Sequence, residues 1–570
     1  MVGSAEQSST VDVAIVGAGP TGLLAALLLC RSGVSTRILD RSLGPVKESR
    51  AFAVHARTME LFQSLGLADR FLDRGVVASG AQIFVDGERA AGFEFDDLGR
   101  DDTPFPFVLM VPQSEVEAIL VAELDREGLA VERGVEVTGL EQDADSVRLS
   151  ARDAAGTPMA VSARYVVGAD GAHSVVRKAL GLTFEGAPYP QTFLLADCKV
   201  DWEADPERFT MFLHGDRFAI YFPLRGRDYA RVIVTADATE ADAALGSRGA
   251  AHLPLPEVEH AFRLAAQMPL TLSEPRWTSR YRVHHRGVNA YRVGRVFVAG
   301  DAAHIHSPAG GQGMNTGLQD AANLCWRLAL AVKEEVSPAV LDTYDAERRP
   351  VGETVLAFTD RAFSFATTRS GWIAAIRDRI LPLVASTISR SGAVRARAFH
   401  FISQLGIRYD RNALVADAGA RSWSAGPPAG HRAPDAAIGL STRIFDLIGG
   451  YRFHLLALSR TPLGAAEIED GAARLEALRG SAPFDLSTHL VSRSLVGRHP
   501  SLIQAEHSGA FESYGLDRHV PQALYLVRPD GYVAWRAESF DVEGCRAFLA
   551  RFRAQPSFRG REAEPGTQNR

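Results

Sequence analysis

The sequence predicts an α/β fold with at least two domains, on three observations. A buried strand followed by a glycine turn and an apolar helix occurs near the N-terminus, in residues 11–30. The same strand and turn recur far along the chain, in residues 296–304. A segment rich in apolar strands lies between them, and a chain of 570 residues is long enough for two or three domains.

Composition places the chain among ordinary globular proteins. It is 46% hydrophobic and 23% charged, and its formal net charge of -6 gives no support for nucleic-acid binding. The four cysteines lack C-x-x-C spacing, which predicts a reducing compartment with neither a disulfide framework nor a structural zinc. Because no apolar run is long enough to span a membrane and no signal-peptide pattern is seen, we expect a cytoplasmic protein that binds no membrane.

The N-terminal strand and turn form a dinucleotide-binding motif. Gly17-Ala18-Gly19-Pro20-Thr21-Gly22 has G-x-G-x-x-G spacing. Gly17 permits the tight turn, Gly19 lets the backbone approach a pyrophosphate, and Gly22 allows close packing of helix on strand. The free N–H groups and the dipole at the helix start favour phosphates. The next strand ends at Asp40, where a carboxylate accepts hydrogen bonds from an adenosine ribose, so this part of the chain predicts a Rossmann-type domain.

The segment between the two glycine motifs predicts a β-sheet. Residues 210–213 and 218–222 are apolar runs joined by the turn residues His214-Gly215-Asp216, which is typical of a hairpin. Residues 229–235 continue as a third strand.

The second motif adds a further ligand-binding segment. Residues 296–299 predict a buried strand that delivers Asp301 to its carboxyl end, where open α/β sheets bind ligands. The glycine-rich residues 307–315 then open a helix and can offer backbone N–H groups to a negative charge. Because a reduced flavin carries such a charge, the two motifs together predict FAD.

The C-terminal part predicts a separate α/β unit. Residues 361–425 are interpreted as a helical connector that packs on the cofactor domain or at a dimer contact. Gly426-Pro427-Pro428-Ala429-Gly430 marks a boundary. Strands follow at residues 453–458 and 523–528, and Pro529-Asp530-Gly531 turns the second of them into a hairpin.

Several stretches together resemble the single-component FAD-dependent aromatic hydroxylases, the group of the hydroxybenzoate and phenol hydroxylases. They are the first glycine motif, residues 168–177 (GADGAHSVVR), residues 294–315 and residues 341–350 (LDTYDAERRP). The closest likeness is to chlorophenol hydroxylases and to hydroxylases that modify polyketides and antibiotics. The tail from residue 426 is similar to the thioredoxin-like domain of larger members, but it lacks the C-x-x-C that dithiol exchange requires.

The resemblance implies four domain segments and a set of cofactor contacts. Residues 10–185 and 285–360 form the FAD-binding domain, residues 186–284 the substrate-binding sheet, residues 361–425 the connector, and residues 426–560 the thioredoxin-like domain. The resemblance places Gly17, Gly19, Thr21 and Gly22 at the pyrophosphate, Asp40 and Arg41 at the adenosine end with Val137 beside the adenine, Asp301 at the ribityl chain, and Pro308, Met314 and Asn315 around the isoalloxazine. It implies further FAD contacts at Pro20, Arg50, Gln113, Asp170, Gly311 and Gly313. Within this set Asp170 belongs to a motif that serves both FAD and the pyridine nucleotide.

The substrate pocket departs from that of the hydroxybenzoate hydroxylases, which hold their substrate with polar and cationic side chains on the sheet. An overlay anchored on Phe218 places Met211, Ile220, Phe222 and Leu224 where such groups would project. Apolar walls favour a larger phenolic or polycyclic aromatic ligand. A shift of one residue in the overlay would turn the opposite set of side chains to the ligand.

The predicted function is that of a monooxygenase that hydroxylates such a compound. The resemblance implies that NADH or NADPH visits transiently to reduce FAD, that O2 then forms a C4a-hydroperoxyflavin, and that no protein side chain need act as acid or base. No metal is predicted, since His304 and His306 lack the further ligands of a metal site. An antibiotic-inactivating hydroxylase stays open, as does a flavin reductase or a flavin-dependent binding protein on the same fold. A homodimeric assembly is a further alternative that the sequence leaves open.

Overall fold

The computed structural model describes residues 10–45, 51–78, 80–94, 102–226, 228–236, 250–251, 253–306, 311–333, 336–366, 392–409, 412–418, 423, 425–494 and 498–553. Two predicted cofactor contacts, Arg50 and Pro308, and residues 367–391 of the predicted connector lie outside this set.

A largely parallel sheet carries both glycine motifs. Among the described residues its strands are Val11–Val16, Thr36–Asp40, Val131–Arg133, Glu136–Gln142, Val147–Arg152, Pro158–Gly168, Arg292–Val293 and Val296–Val298. Pro158–Gly168 lies between Val11–Val16 and Val296–Val298 and runs parallel to both. The loops after these three strands therefore meet at one edge of the sheet, which is the ligand-binding edge of a Rossmann-type domain.

Two long helices flank this edge. The helix Pro20–Arg31 follows the first glycine turn, and its residues Leu23 to Leu29 are all buried, as expected of a helix that is apolar on every side. The helix Gln312–Val332 follows the second glycine-rich loop and packs against the first helix. Sequence analysis predicted both helices.

A second sheet lies over this edge and is built mainly from the predicted strand-rich segment. Among the described residues its strands are Gly80–Val85, Glu88–Glu94, Phe184–Trp202, Phe209–His214, Arg217–Pro223, Tyr229–Ala236, Ala250–Ala251, Leu270–Val288 and His304–Ile305. The predicted hairpin and third strand are confirmed, with Met211 opposite Ile220.

The second sheet also takes in strands from the ranges predicted for the cofactor domain, His304–Ile305 among them. Gly80–Val85 and Glu88–Glu94 fall in the range predicted for the cofactor domain, yet they extend the second sheet. Gly80–Val85 pairs in parallel with Phe209–His214, whose outer edge would otherwise present unpaired backbone groups. The amphipathic pattern of a strand does not reveal which of two sheets it joins.

Alternate residues of the second sheet face opposite layers. Phe212, Ala219 and Tyr221 share an apolar cluster with the helix Leu255–Ala266. Ile220 and Phe222 belong to the large core cluster on the other side, and Met211 packs against that cluster. Met211, Ile220 and Phe222 therefore share one face of the second sheet, as the two-residue period of the strands predicts.

The C-terminal domain is an α/β unit around one mixed sheet. Among the described residues its sheet contains Ala416–Asp417, Phe453–Leu463, Leu486–Ser494, Ile503–Gln504, Gln522–Val527 and Val533–Ala537. Phe453–Leu463 and Leu486–Ser494 are parallel and joined by the helix Ala465–Ser481. Gln522–Val527 pairs antiparallel with the first of these strands and then with Val533–Ala537. The predicted α/β fold class is confirmed.

The remaining elements complete the packing around these sheets. The other helices of the described chain are Ala56–Ser64, Ala68–Arg74, Gln113–Arg126, Val175–Ala179, Ala339–Ala366, Gly392–Ile402, Ile444–Leu447, Gly509–Ser513 and Val542–Leu549, with 3-10 turns at Gly300–Ala302 and Ala550–Phe552. A small sheet joins Ala53–Val54, Val76–Ala78 and Val108–Met110. Within the described ranges, no helix combines the length and the hydropathy of a membrane span.

Buried ion pairs fix the C-terminal domain to the cofactor domain. The turn of the predicted hairpin presents Arg528 to Glu347, with nitrogen–oxygen distances of 2.8 and 3.0 Å. Arg327 donates to the same carboxylate at 2.7 Å, and all three side chains are at most 1% exposed. Burial alone would raise the pKa of Glu347, but Arg327 and Arg528 outweigh it and hold that pKa far below its usual range.

Candidate functional site

The first glycine loop is tightly packed on one side and open on the other. A Cβ on Gly22 would lie 1.9 Å from the carbonyl oxygen of Gly17, and a Cβ on Gly17, whose φ is +103°, would lie 2.4 Å from the oxygen of Ala169. A Cβ on Gly19 would meet no heavy atom within 4 Å. Gly19 is also the N-cap of the helix Pro20–Arg31, which has no side-chain cap. The open N–H groups suit a pyrophosphate.

A cavity of about 200 Å³ lies on one side of this loop and brings together the predicted adenosine contacts. Its described lining residues are Val16, Gly17, Gly19, Leu39, Asp40, Arg41, Ser42, Val135, Glu136, Val137, Ala169, Asp170, Gly171, His173 and Val175. The carboxylate of Asp40 accepts hydrogen bonds from the N–H groups of Ala18 and Ser42, each at 2.7 Å. The loop thereby orients Asp40 at the wall of the cavity.

Asp170 has a structural task in addition to its place in this wall. Its carboxylate accepts from the hydroxyl of Ser174 at 2.5 Å and from the N–H of Val175 at 2.6 Å, at the start of the helix Val175–Ala179. Burial raises the pKa of Asp170, although these hydrogen bonds oppose the rise. Asp170 thus fixes the loop that follows the strand Pro158–Gly168 at the ligand-binding edge of the sheet.

A cleft of about 300 Å³ continues on the other side of Gly19. Its described lining residues are Gly19, Pro20, Thr21, Ala51, Phe52, Gln113, Ala169, Gly171, Tyr281, Arg282, His284, Asp301, Ile305, His306, Gly311, Gln312, Gly313 and Met314. The helix Gln312–Val332 begins here. Its N-cap is Gly311, whose φ is +61° and which has no side chain to cap the helix. The cleft therefore has a second helix start open to a negative charge.

The two cavities share Gly19, Ala169 and Gly171, so they form one groove along the edge of the sheet. The groove has a carboxylate at one end, an uncapped helix in the middle and a second uncapped helix at the other end. This sequence of groups fits the ribose, the pyrophosphate and the flavin ring of FAD.

One predicted contact has different surroundings from those expected. Asn315 was placed beside the isoalloxazine, but it is fully buried and absent from the described wall of the cleft. Its side chain accepts from the N–H of His55 at 2.9 Å and donates to the oxygens of Ala53 and Gly311. Asn315 thus ties the start of the helix to the neighbouring chain. Gln113 lines the cleft, as predicted, and its amide donates to Glu117 at 2.8 Å.

A buried carboxylate that sequence analysis missed lies behind the second motif. Asp320 accepts from the N–H of Gly300 at 3.1 Å and from the guanidinium of Arg348 at 2.7 Å, and its Oδ2 is 2.6 Å from Nε2 of His304. Burial alone would raise the pKa of Asp320, but Arg348 and His304 lower it. The position of this aspartate between the apolar residues Leu318 and Ala321 of the predicted helix was the available signal, because carboxylates are rarely buried without partners.

Two basic residues of the strand Leu270–Val288 line the rim of the cleft. Arg282 and His284 belong to the lining. Burial lowers the pKa of His284, and the neighbouring Arg286, Arg282 and His173 lower it further. His284 thus lies at the cleft beside Arg282 and Arg286, whose positive charges favour an anionic ligand.

The apolar face of the second sheet meets the cleft at Phe52. The rings of Phe222 and Phe52 are 3.8 Å apart, and Phe52 lines the cleft, whereas none of the four predicted substrate contacts is among its described lining residues. Behind Phe52 lies Arg231, 1% exposed, which binds Asp197 through two contacts of 2.7 Å. Nη1 of Arg231 has no hydrogen-bond partner in the described chain. The overlay used in the sequence analysis did not include Arg231, because it covered the hairpin and not the third strand, Tyr229–Ala236, on which Arg231 lies.

Comparison with known proteins agrees with this site. The family described as FAD binding domain matches residues 10–359, and that described as aromatic-ring hydroxylase, C-terminal, matches residues 426–556. The chain is 35% identical to pentachlorophenol 4-monooxygenase of Sphingobium chlorophenolicum, over 93% of this chain and 94% of that protein. It is 33% identical to 6-methylpretetramide 4-monooxygenase of Streptomyces rimosus, over 95% and 93%.

A solved structure gives the same result for the fold. The OxyS anhydrotetracycline hydroxylase from Streptomyces rimosus superposes with a TM-score of 0.71 at 29% identity, over 96% of this chain and all of that one. The resemblance found in the sequence motifs is therefore confirmed, and so is the prediction of FAD. This chain belongs to the FAD-dependent aromatic-ring hydroxylases, a family of monooxygenases.

Proposed function

We propose that this protein hydroxylates a phenolic or polycyclic aromatic compound, using NADH or NADPH and O2. One observation carries the proposal: the groove that fits FAD ends at Phe52, whose ring packs on Phe222 of the apolar face of the second sheet. Apolar walls of this kind favour an aromatic ring. The names of two relatives, a pentachlorophenol and a 6-methylpretetramide monooxygenase, support a substrate of this class.

The residues of the groove would hold FAD in an extended form. The loop of residues 17–22 would bind the pyrophosphate, Asp40, Arg41 and Val137 the adenosine end, and Asp301 the ribityl chain. The backbone from Gly311 to Met314 would face the flavin ring. Bound FAD supplies the activation of O2 and the transfer of one oxygen atom to the ring. The protein excludes water and holds the substrate against the flavin.

The cationic rim would receive the pyridine nucleotide. Arg282 lines the cleft, and Arg286 on the same strand acts on His284 in its wall, so both bring positive charge that suits the phosphates of NADH or NADPH. Such a surface contact agrees with a co-substrate that binds transiently and leaves.

A cytoplasmic location is part of the same proposal. Cys30, Cys198, Cys325 and Cys545 are all free thiols, which supports a reducing compartment.

Oxygen incorporation tests the function. The purified yellow protein would be supplied with NADH or NADPH, 18O2 and a panel of phenols and polycyclic quinones. We expect substrate-stimulated oxidation of the nucleotide and one 18O atom in the product, detected by mass spectrometry. Nucleotide oxidation that yields only hydrogen peroxide across the whole panel would contradict the hydroxylase and favour a flavin reductase.

The face of the second sheet can be tested with a matched pair of variants. Phe222→Leu removes a ring from the face toward the cleft, and Phe212→Leu removes one from the opposite face. We expect Phe222→Leu to weaken binding of the aromatic substrate about three- to tenfold, the value of a lost aromatic contact, with FAD content unchanged. Phe212→Leu should leave substrate affinity unchanged. Substrate titrations followed by the flavin absorbance would measure both, and loss of FAD in Phe222→Leu would refute the assignment of the face.

A further inference from the structure

A chain of hydrogen bonds links the buried Asp320 to the wall of the cleft through two histidines. Nε2 of His304 lies 2.6 Å from Oδ2 of Asp320, and Nδ1 of His304 lies 2.8 Å from Nε2 of His306. His304 and Asp320 are at most 1% exposed and His306 is 8% exposed. The ring of Tyr291 stacks on His304 with an interplanar angle of 20°. The H-x-H pattern of the sequence is thus a relay between side chains.

The carboxylate determines where the protons lie in this relay. Asp320, ionised beside Arg348, can only accept, so Nε2 of His304 carries a hydrogen. Because Arg348 already balances the charge of Asp320, we assign His304 as neutral; its Nδ1 then accepts, and Nε2 of His306 must donate. Nδ1 of His306 is consequently a bare lone pair. It is buried and has no hydrogen-bond partner among the described residues, while the ring forms part of the wall of the cleft.

A buried acceptor without a donor is costly, and a ligand in the cleft that brings an O–H group would satisfy it. The proposed substrate brings such a group. A phenol becomes a better nucleophile at its ring carbons when it loses the proton, so a base at this position would serve the reaction.

We propose that His306 is the proton acceptor for the substrate, an assignment that rests on the proposed function. Nδ1 of His306 takes the proton of the phenolic hydroxyl, and the electron pair of the broken O–H bond stays on the phenolate oxygen. The hydrogen on Nε2 of His306 moves to Nδ1 of His304. His306 is neutral again, and His304 becomes an imidazolium beside Asp320.

The charges of the site favour this two-step transfer. A positive charge on His306 is disfavoured, because burial and His304 hold the pKa of His306 well below its ordinary value, although Asp320 opposes this. A positive charge on His304 lies 2.6 Å from the carboxylate of Asp320. With phenolate in the cleft, the cations Arg348 and His304 balance the anions Asp320 and phenolate. Without a ligand, Arg348 and Asp320 balance each other and both histidines are neutral.

The ionisation of a bound phenol tests the proposal without turnover. The probe is 4-nitrophenol, whose phenolate is coloured, added to the oxidised holoenzyme in the absence of NADH and NADPH. Difference spectra between about pH 5 and pH 9 give the phenolate-to-phenol ratio of the bound probe. We expect that ratio to be about tenfold higher in the wild type than in His306→Phe at the same pH. His304→Gln, which removes the relay but keeps the acceptor, should give an intermediate ratio.

His284→Phe is the matched control. His284 lines the same cleft, but its neighbours are Arg282 and Arg286, and it is not linked to Asp320 as His306 is. It should leave the ratio close to that of the wild type. An equal ratio in His306→Phe and wild type would overturn the proposal, and so would loss of FAD from His306→Phe, because His306 would then serve the cofactor.

The outcomes also separate this proposal from the proposed function. Hydroxylation with an unchanged ratio in His306→Phe would keep the function and remove the proton acceptor. A tenfold change of the ratio without 18O incorporation would keep the acceptor and remove the hydroxylase. Failure of 4-nitrophenol and of every phenol in the panel to bind would overturn both.

Discussion

Glu347→Gln is expected to lower the free energy of unfolding by about 3 kcal/mol, because it leaves two buried guanidinium groups short of one negative charge. Arg327 and Arg528 are both fully buried and both donate to Glu347. Arg528 keeps Asp530 as a partner at 2.6 Å, whereas within the described part of the chain Arg327 pairs with no carboxylate other than Glu347. The loss falls at the contact between the cofactor domain and the C-terminal domain.

The matched control is Glu353→Gln on the same helix. The carboxylate of Glu353 pairs with Arg349 at the surface, where its side chain is 60% exposed. Surface pairs of this kind contribute less than about 1 kcal/mol. Urea unfolding of the holoprotein, followed by flavin release and by tryptophan fluorescence, would compare the two variants. Equal midpoints for Glu347→Gln and wild type would show that the ion pairs do not hold the domains together.

The same carboxylate makes the domain contact sensitive to acid. The pKa of Glu347 is depressed in the folded protein relative to its ordinary value of 4.5, so its stabilising effect is complete above that pH and is lost as the pH falls below it. Unfolding measured from neutral pH down to about pH 3 should therefore show a steeper loss of stability in the wild type than in Glu347→Gln. Parallel pH profiles would contradict the depressed pKa.

The local features of this fold were predictable because their signals lie within a few residues. The strand Val11–Val16 and the turn after it follow from an apolar run and three glycines. The hairpin around Gly531 follows from turn residues between two apolar runs, and Gly531 has the positive φ that such a turn requires. The parity of Met211, Ile220 and Phe222 follows from the two-residue period of a strand.

The features that were missed depend on partners far apart in the chain. Nothing near Asp320 in the sequence indicates that His304 and Arg348 will meet it, and the contact of Glu347 with Arg528 spans two domains. Arg231 escaped notice because an arginine in a strand is ordinarily solvated. Only the pairing of strands shows that it lies behind Phe52. Sequence patterns predict which elements form, and long-range packing decides which polar groups become buried together.

Gly22→Ala is expected to remove FAD from the purified protein, with binding weakened on the order of a hundredfold or more, about 3 kcal/mol. The added Cβ would lie 1.9 Å from the carbonyl oxygen of Gly17 and 3.4 Å from the side chain of Ala169. The nearest atom is backbone and cannot rotate away, so the whole loop must move. Because the loop also supports Gly300, which packs on Thr21, the second motif should be disturbed with it.

Gly19→Ala tests the contact of the loop with the cofactor without disturbing the packing of the loop against the protein. Its φ of -76° and extended backbone are accessible to alanine, and the added Cβ meets no protein atom within 4 Å. The apoprotein should therefore unfold at the wild-type urea concentration, whereas Gly22→Ala should unfold earlier. FAD binding, measured by flavin fluorescence during titration of the apoprotein, should be weakened in both variants. If Gly19→Ala bound FAD as tightly as the wild type, the backbone at residue 19 would not be where the pyrophosphate approaches. Weak binding by a normally folded Gly19→Ala would instead mean that the empty space beside this glycine is reserved for the cofactor.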